Sequence, residues 1–362
     1  MIGARHFYAL AVLLCLHGPA ADAHALDCAA PLGRGAGGAP AVLAPTSAIE
    51  PSPPGLGVIT IAMLPDIQYY SKCGSPHLAA QMRWLAAQSA SRDIRVAMFL
   101  GDLTEHNVGS EWNFVRDQLQ FAQDRIPLVL TTGNHDEGHN GSAKFRHSKL
   151  RDYFPAPPGV ASADLVETRQ PGRIDNAYYR VALPHVTLGV LALEWAPRAS
   201  TVKWANGVLS RYAKDRVIIV THAYLYDDST RYDWAARGNS QLWSPLSYRL
   251  AQWESWRDRN YDGEMLWNAL VRRHPGIFLV LCGHVAGTGT GHLASRGDGG
   301  NLVQQVLTNF QELDEGGLGY LRLLEIQPDG KSLRMETYSP SLGLFAIGDA
   351  QQAMLTLDPA LW

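Results

Sequence analysis

From residue 58 onward the chain alternates short apolar runs with longer stretches that place apolar residues at helical spacing. Residues 58–64 and 95–100 are of strand length and rich in apolar and β-branched types, and the segments that follow, 78–89 and 111–123, carry a helical period. A third strand is expected at 126–131. Later strands are expected at 186–193, 216–220, 277–281, 302–307, 320–326 and 333–337, with helices at 201–212 and 263–273. Strand–helix alternation in the first half, followed by strand-rich sequence, predicts an α/β fold built in layers. The sequence has no repeat at a solenoid period and no heptad run.

The first 57 residues read differently. Arg5 and His6 precede an apolar run at 7–16, and Ala21-Asp-Ala23 and Ala23-His-Ala25 each offer a small-residue cleavage site. This is the layout of a secretory signal peptide over residues 1–25, and the run is too short to span a bilayer. The mature protein is therefore expected to be secreted or periplasmic. Residues 26–57 are expected to form an irregular leader, because 31–57 hold six Pro and six Gly. Residues 58–362 are expected to form one catalytic domain. Without 1–25 three cysteines remain, Cys28, Cys73 and Cys282. Cys28 and Cys73 sit in polar, loop-like sequence and are the expected pair in an oxidising compartment. Cys282 ends an apolar run and is expected to lie inert at the end of a buried strand.

Charge narrows the partners. With 31 Lys plus Arg against 34 Asp plus Glu, the formal net charge is −3, so there is no basic excess with which to bind a nucleic-acid duplex. Hydrophobic residues at 46% and charged residues at 18% exclude a mainly disordered chain. A small-molecule substrate fits this balance, and no membrane span is expected.

The candidate chemistry falls directly after the expected strands, where open α/β sheets place their ligands. Asp66-Ile-Gln68 follows the first strand, Gly101-Asp102 the second, and Gly133-Asn134-His135-Asp136 the third. Thr221-His222 and Gly283-His284 follow two later strands. One Gly-Asp pair is usually a turn, and one His is usually structural. Five such sites, all carboxylate, amide or imidazole, make a binding face for divalent metal.

The order of these motifs resembles the calcineurin-like metallophosphoesterase superfamily, and the stretches Asp66-Ile-Gln-Tyr-Tyr70 and Thr221-His-Ala-Tyr-Leu-Tyr226 are similar to a secreted bacterial branch of it. The resemblance covers roughly 58–337 and implies a two-sheet β-sandwich flanked by helices. It implies two divalent metal ions (Mn, Zn, Fe or Mg) bridged by Asp102. Asp66 and Gln68 would serve the first ion, and Asn134, His222 and His284 the second. Such a pair lowers the pKa of a bridging water to about 7 for attack on phosphorus. His135 would stabilise the transition state or protonate the leaving group, with Asp136 holding its tautomer.

Two positions depart from the common pattern. Gln68 stands where His is usual, and Ala286 where the last motif would end in His. The first site is therefore expected to bind its ion more weakly, or to recruit water, substrate or a side chain such as His292. A diester, diphosphate or monoester is the expected substrate. The alternatives are a ligand-binding protein with a degraded metal site, and a metal-assisted hydrolase of a non-phosphate ester or amide. Residues 223–263 form an aromatic insertion between two ligand motifs, with Arg231, Arg237, Arg249 and Arg257 among its rings. Tyr224 and Tyr226, within four residues of His222, are its candidates for substrate contact; Glu194, which closes another strand, is a further candidate, and for it orienting a ligand is the other reading.

Overall fold

The computed structural model describes Cys28, Thr46–Ser47 and residues 54–358. The expected signal peptide, and most of the leader, lie outside the described residues. Two mixed sheets pack face to face with helices on both outer sides. The first sheet runs β1 (Thr46–Ser47), β14 (Leu344–Ala346), β13 (Ser332–Ser339), β12 (Leu321–Ile326), β2 (Ile59–Leu64), β3 (Ile94–Phe99), β4 (Leu128–Val129), with β15 (Ala353–Thr356) beside β13. The second runs β10 (Thr290–Arg296), β11 (Leu302–Thr308), β9 (Ile277–Cys282), β8 (Arg216–Val220), β7 (Thr187–Ala192), β6 (Arg173–Ala182), β5 (Leu165–Gln170).

Side-chain alternation builds the layers. Ile61, Met63, Val96 and Met98 of the first sheet meet Val190, Ile218, Val220, Leu279 and Leu281 of the second. The intervening Ala62, Leu64, Ala97 and Phe99 face outward onto the helices Pro76–Gln88 and Gly109–Leu119, through Leu78, Met82, Leu85, Trp112 and Val115. Leu191, Ile219 and Val280 likewise cover the helix Ala199–Arg211 through Val202, Ala205 and Val208. Strands buried on both faces read as continuous apolar runs, which is why they were visible in the sequence.

The differences are local. β4 is only two residues long where 126–131 was expected. Pro127 lacks an N–H for the ladder, although its carbonyl still accepts from Ala97 N at 2.9 Å. The helix expected over 263–273 stops at Ala269 and resumes as a single 3₁₀ turn, Val271–Arg273. The β5–β6 hairpin and the edge strand β10 carry mixed polar patterns and were not expected. Cys28 and Cys73 are disulfide-bonded, as their sequence context suggested. Cys282 is buried at the end of β9, and burial pushes its thiol up to about 12, so it is inert.

The topology aims the site. β2, β3 and β4 are parallel neighbours in one sheet, and β8 and β9 are parallel neighbours in the other. The residues that follow each of these strands therefore emerge at a common edge.

Candidate metal centre

Asp102, His222 and His284 are buried and bring one ligand atom each within 4.8 Å of one another. His222 is the hub. Its Nε2 lies 3.1 Å from Asp102 Oδ2, 3.2 Å from Asn134 Oδ1 and 3.1 Å from His284 Nδ1. Its Nδ1 lies 2.8 Å from the Leu100 carbonyl. A carbonyl only accepts, so Nδ1 carries the proton and Nε2 is left to face the cluster. His284 is fixed the opposite way round. Its Nε2–H donates to the Trp243 carbonyl at 2.7 Å, which leaves the Nδ1 lone pair pointing at His222.

Asp66 joins from β2. Its carboxylate accepts from His284 N at 3.1 Å and from Asn309 Nδ2 at 3.0 Å. The glycines before the ligands follow from this crowding. A Cβ on Gly133 would lie 2.1 Å from Asp102 Oδ1, and one on Gly283 would lie 2.1 Å from Asp66 Oδ1. Asp102 and His284 also hold left-handed backbone, at φ 48° and 77°, a cost tolerated at sites whose surroundings over-determine them.

Burial resists charge on every one of these groups, and their mutual fields decide the outcome. Burial raises Asp66, and the neighbouring Asp102 adds to this. In Asp102, burial is outweighed by His222 and His135, which hold the carboxyl low. In His222, burial is outweighed by Asp102 and Asp66, which raise it to about 9. Burial and the charge on His222 press His284 down to about 3, so its Nδ1 stays a neutral donor.

The residues fit a metal. Gln68 is 2% exposed, and its Oε1 has no hydrogen-bond partner among the described residues, while its Nε2 donates to Glu105 Oε2 at 3.1 Å. A buried acceptor without a donor suits a cation.

A family profile, the calcineurin-like phosphoesterase, matches residues 59–288. The chain belongs to this family. The chain is 25% identical over 295 residues to the uncharacterized protein YvnB of Bacillus subtilis (strain 168). That alignment takes in 80% of this chain and 20% of YvnB, so the chain spans about a fifth of that relative's length. Similar solved structures include purple acid phosphatase PPD1 from yellow lupin (Lupinus luteus) seeds, with 15% identity, 85% of this chain, 55% of that chain and a TM-score of 0.48. GAP50, the anchor in the inner membrane complex of Plasmodium, has 12% identity, 83% and 89% coverage and a TM-score of 0.44. Haemophilus influenzae NAD nucleotidase (NadN) has 12% identity, 83% and 50% coverage and a TM-score of 0.40.

Within this calcineurin-like phosphoesterase, several expected roles are redrawn. Asp136 was expected to hold His135. Its oxygens instead accept from Leu103 N at 3.0 Å, Thr104 N at 2.8 Å, Thr104 Oγ1 at 2.8 Å and Gly133 N at 2.9 Å, tying the second motif to the third. His135 is held by Glu105, whose carbonyl accepts from Nδ1 at 3.0 Å and whose carboxylate lies 3.6 Å away. Burial opposes charge on His135, but Asp102 and Glu105 outweigh it and raise its pKa.

Tyr224, expected as a substrate contact, lies in the core. It is 1% exposed, and its hydroxyl donates to Gln305 Oε1 at 3.2 Å inside the core. Tyr226 is half-buried and edge-packed on Tyr232, and its hydroxyl accepts from Leu242 N at 3.4 Å. Two rings of the insertion flank His284, Tyr232 at 6.1 Å and Tyr248 at 6.3 Å. His292 does not fill in for Ala286, because its Nε2 lies 2.6 Å from Gln304 Oε1 on the edge strand.

Glu194 is also structural. Its carboxylate is buried against Arg198, Thr201 and Arg146. Burial opposes the charge, yet Arg146 and Arg198 overcome it and hold the carboxyl at about 2, against an ordinary 4.5. A depressed carboxyl stabilises fully above pH 4.5, and the benefit is lost as pH falls toward 2. Holding the carboxyl that far below its ordinary range is worth about 3 kcal/mol. Glu194→Gln is therefore expected to flatten the decline in stability between pH 4.5 and 2, measured by denaturant midpoints across that range. An unchanged decline would remove Glu194 as its cause.

The sequence reading also missed Asn309, Glu105 and the Trp243 carbonyl. Asn309 had a signal: it follows β11 directly, as the motif residues follow their strands. The other two had none, since one acts through its neighbours and the other through a main-chain atom.

Proposed function

We propose that the protein is an exported, metal-dependent phosphoesterase that hydrolyses a small-molecule phosphodiester, diphosphate or phosphomonoester. The convergence of Asp102, His222 and His284 carries this reading, and the buried Gln68 Oε1, which has no hydrogen-bond partner among the described residues, supports it. Asp66, Gln68 and Asp102 would hold one divalent cation, and Asp102, Asn134, His222 and His284 a second. Bound there, the cations would supply Lewis-acid polarisation of phosphoryl oxygens and a water of lowered pKa.

The chain's own groups do the rest. With Nδ1–H on the Glu105 carbonyl, His135 has Nε2 free, and its raised pKa favours the protonated form that can hand a proton to the leaving oxygen. The main-chain N–H of His135 donates to Asp102 Oδ1 at 2.8 Å, which ties the acid to a carboxylate that would hold metal. Asp136 locks both loops in register. The signal-peptide layout of residues 1–25 and the Cys28–Cys73 disulfide support export, since disulfides persist in oxidising compartments.

Metal stoichiometry per chain, measured on protein purified without chelator alongside hydrolysis and its inhibition by inorganic phosphate, tests the proposal. The two cation sites are expected to differ, because Gln68 replaces an imidazole and Ala286 offers no donor. Gln68→Ala should lose one exchangeable ion, and Asn134→Ala should strip metal more completely. Equal losses would contradict the asymmetry. No metal uptake by the wild type, even with excess divalent cation, would end the enzyme reading and leave a binding protein.

A further inference from the structure

The rings of the aromatic insertion divide into two kinds. Tyr232 is fully buried, with its hydroxyl donating to the Leu242 carbonyl at 2.9 Å. Tyr248 sets its edge on Trp195 at 4.8 Å. Both rings flank His284 and are committed to packing. Trp243 is held differently. Its carbonyl is the acceptor for His284 Nε2, its backbone sits in the left-handed region at φ 57°, and its side chain is left 41% exposed. Among the described residues no ring stacks on the indole. A bulky residue rarely adopts this backbone conformation, and such strain concentrates where function holds it.

Charge does not compete for this role near His284. Arg231 is committed to Glu264, Gln305 and Ser295, and lies 4.0 Å over the Trp267 ring. Arg237 pairs with Asp228. What the insertion offers beside the metal ligand is Trp243, whose main-chain carbonyl is hydrogen-bonded to His284 and whose indole is left part-exposed.

We propose that Trp243 is a specificity-determining residue: its indole stacks on a flat ring, aryl or nucleobase, carried by the group esterified to the phosphorus at the metal centre. This inference rests on the phosphoesterase reading above. Stacking on a π-face tolerates many rings, so the protein should accept ring-bearing phosphate compounds broadly and disfavour small alkyl ones.

The test is calorimetric binding of phenylphosphonate and methylphosphonate to the metal-loaded protein, with metal content measured in parallel. Trp243→Gly suits it, since glycine adopts a φ of 57° freely and keeps the carbonyl on His284. Trp243→Phe keeps a ring. The wild type should favour phenylphosphonate, the glycine variant should lose about tenfold of that preference, and the phenylalanine variant should keep most of it, with equal metal in all three. A preference that survives in Trp243→Gly overturns the inference. So does metal loss in Trp243→Gly but not in Trp243→Phe, because the indole would then be holding the centre together. Equal binding of both phosphonates by the wild type removes the ring alone, whereas binding of neither removes the phosphoesterase reading with it.

Discussion

Asp102→Asn is expected to strip bound metal and lower turnover by at least about a thousandfold, since Lewis-acid stabilisation is worth several kcal/mol and each decade of rate is about 1.4 kcal/mol. The substitution isolates charge. Asn tolerates the left-handed backbone that Asp102 occupies at φ 48°, and its side-chain oxygen can still accept from His135 N. What it loses is the second anionic oxygen, which faces His222 Nε2 at 3.1 Å. His222 also loses the partner that does most to raise it to about 9. Elemental analysis and steady-state hydrolysis on one preparation check the result. A variant that keeps both metals and more than about a tenth of the rate would show that Asp102 does not bridge.

The second large effect lies at Asp136, and it is one of stability. Its carboxylate serves three backbone N–H groups and one hydroxyl, all buried. Asp136→Ala leaves those donors without partners, at about 1–3 kcal/mol for each buried group. A combined loss of about 4 kcal/mol is a large share of a typical domain's 5–15 kcal/mol. A fall in Tm of roughly 5–10 °C is expected, and activity should fall with it, because the loops carrying Asp102 and His135 separate. Asp136→Asn retains one oxygen acceptor and should lose less. His135→Ala should lose turnover while keeping both metal and Tm. If Asp136→Ala left Tm unchanged and altered only the pH–rate profile, Asp136 would be the orienter of His135 after all.

Most of the candidate centre was legible because each candidate ligand follows a buried strand closely. Asp66, Asp102, Asn134, His222 and His284 all lie within a few residues of an apolar run, and parallel strands bring their ends to one edge. Loop residues within the same motifs were legible by position but not by role. Asp136 and His135 are adjacent in sequence, yet the first points into the turn of Leu103 and Thr104 while the second turns to Glu105. Which neighbour a side chain reaches depends on backbone direction at one residue, and a motif does not encode that. The insertion shows the same limit. Tyr224, nearest His222 in sequence, is core, whereas Trp243, more distant in sequence, touches the site through its main chain.

The layered α/β class, the five strand-end motifs and the pairing of Cys28 with Cys73 were legible in the chain alone, because apolar periodicity and polar setting are local properties. The missing donor at Ala286 was legible only through the family resemblance. The tautomers of His222 and His284, the exchange of partners between Asp136 and Glu105, and the compensated burial of Glu194 emerge from the folded chain. Each depends on contacts between residues far apart in the chain or on a single carbonyl's direction, and on how buried charges balance once solvent is removed.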